Sequence, residues 1–365
     1  MLVVLSGGGT AGHINPALAL AEVLEERGCQ VKFAGTPQGV EARLVPQAGI
    51  EFVPFEAAGF NRSHPLSLIR ALRLLSKSGK RARAWLDEIK PDVVVGFGGY
   101  VSIPVGRAAE SKHIPVVIHE QNSVMGLTNK LLAKSAEKVC LTYACAGQGI
   151  VDPAKVIVTG NPVRKGVLSS TRAEGRAMLG IPEDALMLLV FGGSLGARHI
   201  NQALCAMKDK LLAYPNLYIV HITGPKEYDT VVQDLALSND QAKRWIVMGY
   251  QDRMGETMAA ADMIVSRAGA TSLAEISARA IPAILVPFPH ATADHQTTNA
   301  RTYVEAGCAS MMADDSLDTP EFQAMVAQLI ENESLRASMH EAALAHDTAN
   351  AACRLADVVM KTAQQ

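Results

Sequence analysis

The residues best suited to chemistry in this sequence stand at two short glycine-rich stretches. Gly7-Gly8-Gly9-Thr10-Ala11-Gly12 follows the apolar run Leu2–Leu5, and Gly192-Gly193-Ser194-Leu195-Gly196 follows Met187–Phe191. A strand that ends in glycines and turns into a helix points free backbone N–H groups and the helix dipole at one spot. Without a Cβ, the main chain there can be approached by a phosphate. The polar side chains Thr10, His13, Ser194 and Arg198 stand beside these turns. One such turn fits a plain strand–helix connection as well as a ligand site; two at matching places favour a bound diphosphate. Residues 7–12 satisfy G-x-G-x-x-G, but a dinucleotide site also needs an acid ending the second strand. That strand ends Ala34-Gly35-Thr36, and the nearest acid, Glu41, lies well past it. This argues against NAD or FAD, and the lack of a GxxxxGK motif excludes a Walker P-loop.

Two further turns follow apolar strands: Gly96-Phe97-Gly98-Gly99-Tyr100, and the small-residue loop Ser266-Arg267-Ala268-Gly269-Ala270-Thr271. The spacing predicts a helix starting near Ser272. Glu275 is then either a capping-box acid or an acceptor for a ribose diol. His13 sits in the first turn of its helix, where a neutral imidazole suits a general base; its other reading is a hydrogen-bond donor to phosphate or acceptor. No Asp-x-Asp occurs. Asp314-Asp315 and Glu183-Asp184 read as solvated surface, so no metal and no other cofactor is expected.

These turns need sheets to position them. Strands are expected at Leu2–Leu5, Val31–Ala34, Glu51–Pro54, Val93–Gly96, Val116–Ile118, Val139–Thr142 and Val156–Val158. A second set is expected at Met187–Phe191, Tyr218–Ile222, Trp245–Met248, Met263–Ser266, Ala283–Val286 and Ala309–Met312. Helical patterns such as Ala17–Arg27, Asn201–Leu212, Leu273–Ala280 and Thr297–Glu305 lie between them. Continuous apolar strands alternating with helices indicate α/β architecture, with parallel sheets covered on both faces. A length of 365 residues suits two domains. The break is expected at Thr159-Gly160-Asn161-Pro162-Val163, and the Ala-rich tail reads as helix.

Net charge is only -2, but residues 1–162 carry 17 basic against 13 acidic side chains. The excess comes from Ala57 to Leu86, which has no acid. Arg70, Arg73, Lys77 and Lys80 recur there at helical spacing, beside an apolar stripe of Leu68, Ile69, Leu72 and Leu75. Such a helix either lies on an anionic membrane or packs on its own sheet with a solvated basic face. Nucleic acid is not expected, because stacking aromatics are missing. Six scattered cysteines without CxxC pairs argue against a disulfide or zinc framework and for a reducing cytosol. No signal peptide is expected from Met1-Leu2-Val3-Val4-Leu5, and no run reaches transmembrane length.

An ordered series of motifs resembles one known family. It comprises Gly8-Gly9-Thr10-Ala11-Gly12-His13, Gly98-Gly99-Tyr100-Val101-Ser102, His119-Glu120-Gln121-Asn122, Gly160-Asn161-Pro162-Val163-Arg164, Gly192-Gly193-Ser194-Leu195-Gly196-Ala197-Arg198 and Arg267-Ala268-Gly269-Ala270. The set is similar to the bacterial MurG family of UDP-N-acetylglucosamine-dependent, lipid II-forming N-acetylglucosaminyltransferases. The resemblance implies a GT-B fold, two Rossmann-like domains whose parallel sheets face a deep cleft. It divides the chain into an acceptor- and membrane-facing domain of residues 1–162 plus 345–365 and a donor domain of 163–344. It implies inverting transfer of GlcNAc from UDP-GlcNAc to the 4-hydroxyl of lipid I, in peptidoglycan synthesis. The location implied is peripheral, on the cytoplasmic face of the inner membrane, with anionic lipid and cell-wall or division proteins as partners. A UDP-sugar 2-epimerase of the same fold is the alternative.

Matched position by position, the resemblance gives the donor Thr10, Ala11, Gly12, Asn122, Arg164, Ser194, main-chain groups of Gln251, the segment Ala270, Thr271, Ser272, Leu273, Ala274 and Glu275, and Gln296 with Asn299. Tyr100 and Glu120 flank the acceptor, and His13 or Glu120 serves as base. Departures from the family pattern at His295, Gln251 and Thr271 touch fine donor contacts.

Overall fold

The computed structural model describes residues 1–57, 65–193, 196–345 and 349–365, with backbone alone for 65–72. The chain divides into two units, Met1–Arg164 with Ala349–Gln365, and Lys165–Thr348. In the first, β1 (Leu2–Ser6), β2 (Gln30–Gly35), β3 (Glu51–Pro54), β4 (Val93–Gly96), β5 (Val116–Glu120), β6 (Lys138–Leu141) and β7 (Val156–Val158) form one parallel sheet, ordered β3-β2-β1-β4-β5-β6-β7. In the second, β8 (Leu186–Phe191), β9 (Leu217–Ile222), β10 (Trp245–Met248), β11 (Met263–Ser266), β12 (Ala283–Leu285) and β13 (Ala309–Met311) form another, ordered β10-β9-β8-β11-β12-β13. Every expected strand is present, with ends shifted by a residue or so.

Both orders reverse direction beside the first strand of the unit, between β1 and β4 and between β8 and β11. A crevice at the carboxyl ends of the strands opens at such a switch point. All four glycine or small-residue turns leave from these four strands, so topology brings the motifs together in pairs. Gly99, at φ +78°, approaches the neighbouring turn so closely that a Cβ there would lie 2.4 Å from the Gly8 carbonyl oxygen. Gly196, at φ +80°, has the Thr223 carbonyl at 2.1 Å from the same point.

Alternate strand residues feed opposite faces of the first sheet, as the pleat requires. Val3, Leu5, Phe33, Val93 and Val95 pack under the helix Ala11–Glu26 and the terminal helix Ala351–Thr362, through Leu355, Ala356 and Val359. Val4, Ala34, Val94, Ile118 and Val139 pack on the other face, with Ala82 and Leu86 of the helix Pro65–Ile89. The second unit buries Leu188, Val190, Ile219, Val265 and Ile284 in the same way. All six cysteines are unpaired.

Candidate functional site

In the first unit, a buried acid holds the turn after β1. Glu41 is fully buried at the start of its helix and folds back beneath the glycines. Its carboxylate accepts from Gly9 N at 3.3 Å, Thr36 N at 3.0 Å and Thr36 Oγ1 at 2.5 Å. A backbone N–H that a diphosphate would need is therefore taken by a carboxylate, which also repels anions. This gives the dinucleotide reading a second, structural objection.

His13 lies beside the same turn. Its Nδ1 donates to the Gly8 carbonyl at 3.0 Å, with Thr10 Oγ1 at 3.5 Å. A carbonyl can only accept, so Nδ1 carries a proton, and in the neutral ring the lone pair is on Nε2. Nε2 faces Gly98, where a Cβ would stand 3.2 Å away. That is the tautomer a general base requires. Ser102 staples the two turns by donating to Ser6 O at 3.0 Å and Gly98 O at 2.8 Å. Thr10 and Tyr100 are exposed.

Glu120 stands differently. It is 2% exposed, and both carboxylate oxygens are occupied. Oε1 accepts from Asn122 N at 3.1 Å and Asn122 Nδ2 at 3.4 Å, and Oε2 from Gly126 N and Asn129 Nδ2, both at 2.9 Å. Glu120 thus organises the loop after β5, with Asn129 as a partner that sequence reading missed. Asn129 lies in a short helix outside the quoted motifs, and only the fold brings it back. Arg164, expected to contact donor, donates to Glu22 at 2.9 Å within this unit.

His119 is fully buried and donates from Nε2 to Gly160 O at 2.9 Å. Desolvation lowers its pKa to about 4, against the raising effect of that hydrogen bond. In the second unit His221, paired with Asn201 at 3.0 Å, is lowered by burial to about 4 as well. An unfolded histidine binds its proton near pH 6.5, so stability is fully present above that value and drains as pH falls toward about 4. Each site should remove about 3 kcal/mol. Urea unfolding at about pH 7 and about pH 4.5 checks this: His119→Gln or His221→Gln should flatten part of the acid loss, and parallel losses in wild type and variants would refute it.

In the second unit Ser194 lies outside the described residues. Arg198 makes a bidentate pair with Glu227, with contacts of 2.9 and 3.1 Å. The helix after β11 is Ala270–Ala278, capped by Gly269. It starts two residues before the expected Ser272, because glycine as well as serine can take the cap position. The N3 residue is then Ser272, so the capping-box reading of Glu275 is corrected. Thr271, Ser272 and Glu275 occupy the accessible face of that helix, while Leu273 and Ala274 are buried. By helix geometry the first-turn N–H groups, here those of Ala270–Ser272, have no partner within the helix itself.

Gln251 folds its side chain onto its own loop, accepting from Arg253 N at 3.0 Å. Gln296 accepts from Phe288 N at 2.9 Å. Asn299 is fully buried and donates to Ala268 O at 3.3 Å, beneath the loop rather than at its surface. Just before Gln296, Ala293 and Asp294 both hold positive φ, 52° and 51°, in a region that costs non-glycine residues about 1–3 kcal/mol.

One reading of the surface acids is overturned. Asp314 is not solvated: with 16% side-chain exposure it pairs with Arg267 at 2.5 Å and His199 at 2.9 Å. Asp315, Glu183 and Asp184 are exposed, as expected.

Two doubly wound parallel sheets, each with paired small-residue turns at its switch point, make up the GT-B architecture. The family model "Glycosyltransferase family 28 N-terminal domain" matches residues 3–141, and "Glycosyltransferase family 28 C-terminal domain" matches 187–355. The chain belongs to glycosyltransferase family 28. It is 43% identical over 347 residues, 94% of each chain, to the UDP-N-acetylglucosamine--N-acetylmuramyl-(pentapeptide) pyrophosphoryl-undecaprenol N-acetylglucosamine transferase of Leuconostoc mesenteroides subsp. mesenteroides. The crystal structure of Acinetobacter baumannii MurG superposes with TM-score 0.74 at 30% identity, covering 99% of both chains. The UDP-GlcNAc 2-epimerase of Neisseria meningitidis, at TM-score 0.70 and 16% identity over 99% of this chain and 100% of that one, shares the fold alone.

Proposed function

We propose that this enzyme transfers GlcNAc from UDP-GlcNAc to the 4-hydroxyl of the MurNAc unit of lipid I, forming lipid II with inversion at the anomeric carbon. The observation that carries this reading is the 43% identity over 94% of both chains with a transferase of that name. In the mechanism, His13 Nε2 takes the proton of the attacking hydroxyl as the new glycosidic bond forms and the bond to UDP breaks. The departing diphosphate gains charge, which the first-turn N–H groups at Ala270–Ser272 and the turn Gly192–Ala197 stabilise. Glu120 shapes the acceptor loop, and Thr271, Ser272, Glu275, the Gln251 main chain and Gln296 hold the donor. UDP release measured with UDP-GlcNAc, with and without a lipid I analogue, tests the reading. Acceptor-dependent release is expected. Release that is independent of acceptor would mark an epimerase, and no release with both present would end the proposal.

The acceptor's lipid tail gives the helix Pro65–Ile89 a second role. Arg73, Lys77 and Lys80 are exposed on it, while Ser78, Ala82 and Leu86 face the core; the Arg70 side chain lies outside the described residues. No helix among the described residues is long and apolar enough to cross a bilayer. We propose that this basic face docks on the anionic inner leaflet, where each basic residue contributes about 1 kcal/mol. Changing Arg70, Arg73, Lys77 and Lys80 together to Ser should weaken sedimentation with phosphatidylglycerol vesicles at least about tenfold, and more so at low salt. Unaltered sedimentation would move the docking face elsewhere.

A further inference from the structure

Asp314 lies on none of the glycosyltransferase motifs, yet two motif-bearing segments converge on it and a third element reaches it through Arg267. Its Oδ1 pairs with Arg267 at 2.5 Å, and its Oδ2 with His199 Nδ1 at 2.9 Å. Arg267, only 9% exposed, also donates to Pro287 O at 3.1 Å and Val286 O at 3.4 Å, and its guanidinium lies 5.6 Å from the centre of the Phe288 ring. Phe288 N in turn donates to Gln296. Arg267 leads directly into the helix Ala270–Ala278, and His199 is the second residue of the helix Arg198–Ala206 that leaves the other glycine turn. One carboxylate thus ties together the turn after β8, the root of the helix after β11 and the loop after β12.

A buried ion pair adds little net stability over apolar packing, but removing one partner strands the other charge. Its use here is geometric: a planar guanidinium hydrogen-bonded to two carbonyls and ion-paired with a carboxylate has one place to sit. We propose that Asp314 and His199 are positioning residues of the nucleotide-sugar site, forming an ionic clasp that makes the hold on a UDP-sugar depend on the charge of His199. The proposal rests on the donor reading given above.

The charge enters through hydrogen-bond count. His199 Nε2 lies 3.1 Å from Asp318 as well. A protonated ring donates to both carboxylates; a neutral ring has one N–H and must give up one of them. The groups facing it are Asp314 and Asp318 from the segment after β13, Arg267 beyond Asp314, and Arg198 on its own helix, which Glu227 engages. The hydrogen bond to Asp314, opposed by desolvation and aided by Asp318, holds the imidazolium above its usual pKa. Against the desolvation of burial, His199 and Arg267 hold Asp314 below its own. The clasp is therefore complete at lower pH and loosens as pH rises through the His199 titration.

Calorimetric titration of the full chain with UDP-GlcNAc, without acceptor, tests this between about pH 5.5 and about pH 8.5. The diphosphate of a nucleotide sugar is a diester and keeps its charge over that range, so a pH profile belongs to the protein. Wild-type affinity should fall severalfold with rising pH. His199→Gln, which mimics the neutral ring, should flatten the profile at the weaker value. Asp314→Asn should cost about tenfold throughout. If Asp314→Asn does not fold, the partly exposed His199→Gln carries the test by itself. A profile and affinity unchanged by His199→Gln overturn the clasp alone, whereas no UDP-GlcNAc binding by the wild type overturns the donor reading and the clasp with it.

Discussion

Replacing His13 with glutamine is expected to slow transfer by about 10²–10⁴-fold, the range for losing a general base. UDP-GlcNAc affinity should stay within about twofold, since most of the residues proposed to hold the donor lie in the other unit. Glutamine can still donate to the Gly8 carbonyl, so the turn after β1 keeps its shape. What disappears is the lone pair on Nε2. Glu120→Gln makes a sharper contrast than it first suggests. Its carboxylate accepts four hydrogen bonds from Asn122, Gly126 and Asn129, and an amide can accept on one side only. That variant should lose thermal stability together with activity, whereas His13→Gln should lose activity alone. A His13→Gln enzyme working within about tenfold of wild type would remove the imidazole from the role of base.

The second large effect concerns stability. Arg176 is wholly buried, and its guanidinium donates to Glu183 O at 2.9 Å, Ala185 O at 2.8 Å, Asp262 Oδ2 at 2.8 Å and Pro182 O. Asp262 also accepts from Met187 N at 2.6 Å and pairs with Arg172 at 2.8 Å. This network fastens the helix Arg172–Leu179 to the first strand of the second sheet. Asp262→Ala leaves a buried guanidinium without its counter-charge, and should destabilise the second unit by about 3–5 kcal/mol. Adding Arg176→Met should recover part of that loss, because the stranded charge goes with it. Urea unfolding of the single and double variants measures both. A single variant within about 1 kcal/mol of wild type would mean that water or rearrangement already compensates Arg176.

Much of the fold is legible in the chain because parallel strands, buried on both faces, are short continuous apolar runs between helices. The glycine turns are legible for a related reason: Gly99 and Gly196 sit where backbone crosses backbone, and no other residue fits. Helix starts are less so. Gly269 and Ser272 both resemble caps, and only the backbone decides between them, which changes what Glu275 does. Least legible are charge pairs closed by the fold. Nothing local in Asp314-Asp315 separates the acid that anchors Arg267 from its exposed neighbour, and nothing near Gly35 announces that Glu41 turns back beneath Gly9. Buried histidines such as His119 and His221 look like any others until their surroundings are known.

The helix Ala351–Thr362 lies against the first sheet beside the helix Ala11–Glu26, although the whole second unit comes between them in sequence. A ribosome therefore cannot deliver a finished first unit until the helix Ala351–Thr362 has emerged. Until then the surface awaiting Leu355, Ala356 and Val359 stays uncovered, while the second unit, contiguous in the chain, can complete itself. The order of maturation runs opposite to the order of synthesis. A chain lacking residues 351–362 would leave that first unit with an apolar surface where a finished core should be.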